Sequence, residues 1–136
     1  NLGFYEEALK VFNQYFIKNN NDLTAAYLMG VSNFKIQKYS TAIYYLDLAN
    51  NNSDSEILYY LGMSHYKLKN YSKAIRAFKK SLIINPKNQY AIYGLGQTYI
   101  ESENKRDSKR QLRSLMNTDK DLFELLKISY DSKFID

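Results

Sequence analysis

Apolar residues recur along the chain at helical spacing, and the clusters they form recur at a longer interval. Ala26, Met29 and Gly30 make one cluster, Leu58, Leu61, Gly62 and His65 a second, and Ile92, Leu95, Gly96 and Tyr99 a third. Each sets an apolar stripe around a glycine, the pattern of an amphipathic helix. A different cluster follows each of them, with the spacing Tyr-x-x-Ala-x-x-x-Phe, clearest at Tyr71, Ala74 and Phe78. Tyr5, Tyr39, Tyr71 and Lys105 are 34, 32 and 34 residues apart. The same intervals separate Ala8, Ala42, Ala74 and Ser108, and again Phe12, Leu46, Phe78 and Leu112. Three sets of positions in one register predict a repeated unit made of two helices.

The small residues have a packing reason. A glycine inside a helix costs about 1 kcal/mol relative to alanine, so Gly30, Gly62 and Gly96 in register imply close contact between helices. Ala42, Ala74 and Ser108 would supply the matching gap on the second helix. The units divide the chain, read as a single domain over 1–136, into repeats at 23–54, 55–88 and 89–120. Residues 1–22 carry only a second helix, as though its partner preceded Asn1 in a longer chain. The two-residue shortfall of the second unit is expected in the turn around Asn50 to Ser55. Thr118-x-x-Asp121 reads as a capping box opening a final helix over 121–136, with Leu122, Leu125 and Leu126 on one side. That helix would be a solvating cap.

The spacing resembles the tetratricopeptide repeat, best over Ser55 to Asn88: Leu58-x-x-Leu61-Gly62-x-x-His65, then Ala74-x-x-x-Phe78, then Pro86. Leucine stands for the family's tryptophan and His65 for its tyrosine. The resemblance covers roughly residues 3 to 120, and the fourth unit is worn, with Lys105 and Ser108 in place of the aromatic and the alanine. The related pentatricopeptide repeat fits less well, because Leu82-Ile83-Ile84-Asn85-Pro86 lacks the glycine common before its repeat-ending proline. The resemblance implies an all-α fold: a right-handed superhelical stack of antiparallel helix hairpins, a tetratricopeptide-type α-solenoid, closed by a C-terminal capping helix.

Composition agrees and excludes other classes. The chain is 45% apolar and 15% aromatic, enough for a core, with one proline and five glycines, too few turns for a fold of many short strands. The absence of cysteine excludes disulfides and thiolate zinc sites and leaves cytosol and periplasm both open. No apolar run approaches the roughly 20 residues of a membrane span, so a soluble chain is expected, cytoplasmic rather than periplasmic. No catalytic constellation is visible, and neither cofactor nor metal is expected. His65, the single histidine, occupies a family core position, where a hydrogen-bonded interhelical side chain is expected. Gly94-x-Gly96 falls inside a helix and lacks the third glycine of a dinucleotide fingerprint. Asp119, Asp121 and Glu124 sit at a helix start, where acids favour the dipole, and match no calcium loop.

What remains is surface. The resemblance implies a concave groove lined by the first helices: Tyr27, Val31 and Phe34; Tyr59, Met63 and Tyr66; Tyr93, Gln97 and Ile100. Tyr27, Tyr59 and Tyr93 share one equivalent site. Tyrosine suits a binding surface, with a rigid apolar ring and a hydroxyl that can stay wet. Some members of the family grip a C-terminal carboxylate with lysines and asparagines; Tyr27, Val31, Tyr60 and Glu56 stand where those groups would be needed, against such a clamp. The expected function is therefore a non-catalytic protein–protein interaction scaffold, holding a partner segment with apolar or aromatic anchors.

Two alternatives remain open. The net charge of +5 is concentrated: between Lys67 and Arg113, 12 Lys or Arg stand against three acids. Lys73, Arg76 and Lys80, then Arg106, Lys109, Arg110 and Arg113, could form a basic convex face for nucleic acid or another polyanion. Phe4, Phe12 and Phe16 on the unpaired first helix could support homo-oligomers through the N-terminal end.

Overall fold

A computed structural model describes residues 1–135; the final residue of the expected cap, Asp136, lies outside the described residues. The described elements are the helices α1 (Leu2–Lys18), α2 (Leu23–Lys35), α3 (Tyr39–Ala49), α4 (Ser55–Lys67), α5 (Tyr71–Ile84), α6 (Gln89–Glu101), α7 (Lys105–Met116) and α8 (Lys120–Lys133). Hairpins α2–α3, α4–α5 and α6–α7 stack in chain order, with α1 before them and α8 after.

Local chemistry sets the helix ends. Asp22, Asp54 and Asn88, in repeat register, accept from backbone amides at the starts of α2, α4 and α6. Each hairpin turn closes with paired backbone bonds: Lys38 N to Asn33 O with Gln37 N to Phe34 O, Asn70 N to His65 O with Lys69 N to Tyr66 O, and Asn104 N to Tyr99 O with Glu103 N to Ile100 O. This Schellman pairing needs a left-handed residue, and Gln37, Lys69 and Glu103 hold φ of 65°, 62° and 61°. Left-handed backbone is strained for residues with a side chain. Lys69→Gly is expected to stabilise the fold by roughly 0.5–1 kcal/mol, seen as a higher urea midpoint at an unchanged slope.

Two expectations about ends need correction. Asp119, not Thr118, caps α8: its carboxylate accepts from Leu122 N at 3.0 Å, while the Thr118 hydroxyl donates to Ser114 O. The two-residue shortfall of the second unit is taken from a helix rather than from the turn, since α3 has 11 residues and α5 has 14. The turn that follows α3 carries Asn52 in the left-handed region, φ 57°.

The core is a series of junctions. Leu46, Ala49, Ile57, Leu58 and Leu61 join the second unit to the third; Ala74, Phe78, Ala91, Leu95 and Tyr99 join the third to the fourth; Ile92, Ile100, Leu112, Leu115 and Leu126 join the fourth to α8. The glycines are filled as close contact demands. A Cβ on Gly30 would lie 2.6 Å from Leu46 Cγ, and one on Gly62 2.7 Å from Phe78 Cδ1, both across their own hairpins. Gly94 receives the same Phe78 ring from the other side, 2.6 Å from Cζ, whereas the space at Gly96 is taken chiefly by Leu126 of α8.

Curvature follows from which helices touch. α2 meets α4, α4 meets α6 and α6 meets α8, while α3, α5 and α7 meet none of one another. The first helices therefore line the inner side of the stack, and the second helices splay apart on the outer side. On α1, Phe4 is 68% exposed, but Phe12 and Phe16 are half-buried and Phe16 packs edge-on against Tyr45 at 5.7 Å. The large apolar residues that α1 exposes are Leu2, Phe4, Val11, Tyr15 and Ile17, spread around the helix.

Candidate protein-interaction groove

On the inner side the rings form a connected series. Phe34 stands 5.6 Å from Tyr39 and 5.4 Å from Tyr60; Tyr60 is 5.2 Å from Tyr59; Tyr59 is 6.5 Å from Tyr90. The helix starts of α4 and α6, set by the Asp54 and Asn88 caps, bring Tyr59, Tyr60 and Tyr90 to the wall of an open cavity of about 720 Å³. Lys35, Asp54, Glu56 and Lys87 line it as well, so charges of both signs stand beside the three rings. Aromatic rings with polar groups at their margin are a combination that protein interfaces favour.

Burial orders these rings. Desolvation, then the neighbouring Tyr60, pushes the Tyr59 hydroxyl up to about 12. Burial also raises Tyr27, with help from its hydrogen bond to Glu56, and burial raises Tyr60 and Tyr66. All four phenols are thus neutral across the physiological range and act as rings with donor hydroxyls. Tyr90, 64% exposed, is the most available of the cavity's rings.

The expected groove residues divide. Tyr27, Val31 and Phe34 pack half-buried against the second-to-third junction, and Tyr59, Met63 and Tyr66 against the third-to-fourth. Tyr59 alone of the nine lines the large cavity. In the fourth unit the expectation of an open surface is corrected. Ile100 is 1% exposed in the junction with Leu126, and Gln97 Nε2 donates to Tyr93 Oη at 2.8 Å and to Ser129 Oγ at 3.0 Å on α8. The cap lies across α6 and closes that stretch. Lys35, Lys87 and Tyr90 carry no signal in the sequence, because only the junction between units brings them to one place.

The basic run also divides. Lys73, Arg76 and Lys80 face α3 across a separate cleft. On α7, Arg106 Nε and Arg110 Nη1 share Asp107 Oδ1 at 3.5 and 3.6 Å. The hydrogen bond from Asn104, followed by these cations, holds the Asp107 carboxyl below its usual range. His65 differs from its expectation as well: its Nδ1 is buried without a hydrogen-bond partner among the described residues.

The family model of the tetratricopeptide repeat matches residues 55–88, the span of α4, α5 and their turns. That match identifies the third unit as a tetratricopeptide repeat. Solved structures agree on the fold along nearly the whole chain. A crystal structure of MamA superposes with a TM-score of 0.86 at 17% identity, covering 96% of this chain and 80% of that one. MamA from Desulfovibrio magneticus RS-1 gives 0.74 at 23%, covering 97% and 70%. YrrB, described as a TPR protein with an unusual peptide-binding site, gives 0.79 at 18%, covering 96% and 70%. No curated protein matches the chain. These likenesses establish the right-handed superhelical stack of hairpins. Tetratricopeptide scaffolds serve protein–protein contact and are in general non-catalytic. Among the described residues no helix is long and apolar enough to cross a membrane.

Proposed function

We propose that the tetratricopeptide stack captures a segment of a partner protein in the cavity between the starts of α4 and α6, with Tyr59, Tyr60 and Tyr90 as its aromatic floor. The observation that carries this reading is the joining of three tyrosines to a mixed-charge lining of Lys35, Glu56 and Lys87 around about 720 Å³ of open space. A buried carboxylate clamp would need converging cations; here the lining mixes signs, which favours an apolar or aromatic anchor with polar flanks. The peptide-binding site described for YrrB supports the general use of such a stack. The half-buried Tyr27, Val31, Phe34, Met63 and Tyr66 stiffen the wall by packing, and Tyr93, Gln97 and Ile100 hold the cap instead of the ligand.

Selection of displayed peptides against the purified chain is expected to enrich sequences with an aromatic or large aliphatic anchor. Tyr90→Ala should weaken the selected peptide by about tenfold, the loss typical of a 1–2 kcal/mol anchor, with little dependence on salt. Tyr90 is exposed, so its removal leaves the fold intact by circular dichroism. Affinity unchanged in both Tyr90→Ala and Tyr59→Ala would sink the reading.

A further inference from the structure

We propose that the outer cleft between α3 and α5 is a second binding site, one that takes an acidic peptide segment with an aliphatic anchor. The cleft is a consequence of curvature: the second helices splay, and α4 floors the gap. Two cavities, of about 330 and 250 Å³, share Leu58 and Lys80 and so adjoin along α5. At one end Lys73, Arg76 and Lys80 line the wall, opposed among the described residues by the carboxylate of Asp47 alone. Among the described residues none of these three cations has an ion-pair partner, so the field is free to act on an incoming anion. At the other end Ile83 is 79% exposed and Ile84 39%, and both line the second cavity with Asn52.

The occupant follows from this order of groups. Lys73 to Ile84 covers about 16 Å of helix, the reach of roughly five extended residues. A free phosphate would use the basic end and ignore the isoleucines. A nucleic acid would want rings on which to stack bases, and no Phe, Tyr or Trp lines either cavity. An acidic stretch followed by an aliphatic residue matches both ends. The floor carries a reporter, since the unpartnered Nδ1 of His65 is beside the cations. Burial and then Lys73 hold the imidazole below its ordinary value, with Asp47 opposing them. Carboxylates seated among Lys73, Arg76 and Lys80 would offset the cationic contribution and raise it.

His65 is the only histidine, so its imidazole resonances can be followed in the intact chain without assignment. The probe is a short synthetic peptide of glutamates ending in leucines, made in both orders. Binding is expected to move the His65 resonances and raise their titration midpoint. Arg76→Glu should weaken the peptide at least tenfold, Ile83→Glu should weaken it severalfold, and Tyr90→Ala on the inner face should leave it unchanged. Both exposed substitutions are checked for retained helicity. The proposal is overturned if the peptide does not move His65, if Arg76→Glu binds it equally well, or if inorganic phosphate or a single-stranded oligonucleotide gives the same response.

Discussion

Phe78→Ala is expected to lose about 3–5 kcal/mol of stability, the range for deleting a buried aromatic ring, and so to remove a large share of the ~5–15 kcal/mol that holds a domain together. Phe78 is fully buried, and its ring is wedged between helices of two units. A Cβ on Gly62 of α4 would come within 2.7 Å of the ring, and one on Gly94 of α6 within 2.6 Å. The ring therefore ties α5 to its own hairpin partner and to the next unit at once. Because stacked repeats are stabilised by nearest-neighbour interfaces, the loss should fall on the junction between the third and fourth units. Urea unfolding followed by circular dichroism should show a lower midpoint, with α6–α8 melting ahead of α2–α5. The glycines supply an independent check. Gly94→Ala should destabilise the wild type but cost less when Phe78 is already alanine, a coupling of at least about 1 kcal/mol in a double-mutant cycle. Additive effects would mean that the ring and the glycine do not share the space.

Leu126→Ala is expected to cost about 2–5 kcal/mol, and the loss should be confined to the C-terminal end. Leu126 is the one fully buried residue of α8, and its methyl groups occupy the gap left by Gly96, where a Cβ would lie 2.6 Å from Cδ2. Leu122, Phe123, Tyr130 and Phe134 are only half-buried around it. Without the anchor, the Gln97 to Ser129 bond and the cover over Ile100 lose the one fully buried side chain that fixes α8 beside them. Hydrogen exchange should show protection lost first in α8 and then in α6 and α7, with α2–α5 little changed. A uniform loss through the whole chain would contradict a cap held at one point. The variant also tests the inner face, because uncovering Tyr93 and Ile100 should extend the groove toward the C-terminus and broaden the peptides it accepts.

Much of the fold is legible in the sequence because it is periodic. The intervals of 34, 32 and 34 between matching positions follow from one pair of helices repeated, and the glycines announce close contacts that Gly30 makes with Leu46 and Gly62 with Phe78. Gly94 has no such signal and looks in the sequence like part of an incomplete nucleotide motif. It breaks the register of the others because it accommodates a ring from the preceding unit, and a contact between units leaves no spacing within one. The capping pattern that begins at Thr118 is satisfied one residue later, by Asp119. The analogy with a tyrosine predicts a hydrogen-bonded His65, but the position faces a cleft that its neighbours Lys73 and Asp47 define.

The candidate site is less legible, for a related reason. The repeat register points to Tyr59, and that ring does stand beside the cavity, yet Tyr90, Lys35 and Lys87 reach the same cavity from different units. Tyr93, Gln97 and Ile100 occupy equivalent positions in the repeat and lose their open surface to α8, which belongs to no repeat. The amino-acid pattern alone settled that helices pair, in what order they stack and which small residues bring them together, because those are contacts between neighbours in a regular series. The splay of the outer helices, the closing of the fourth unit and the gathering of three tyrosines at one junction were settled only in three dimensions. They depend on the angle between units and on the residues that do not repeat.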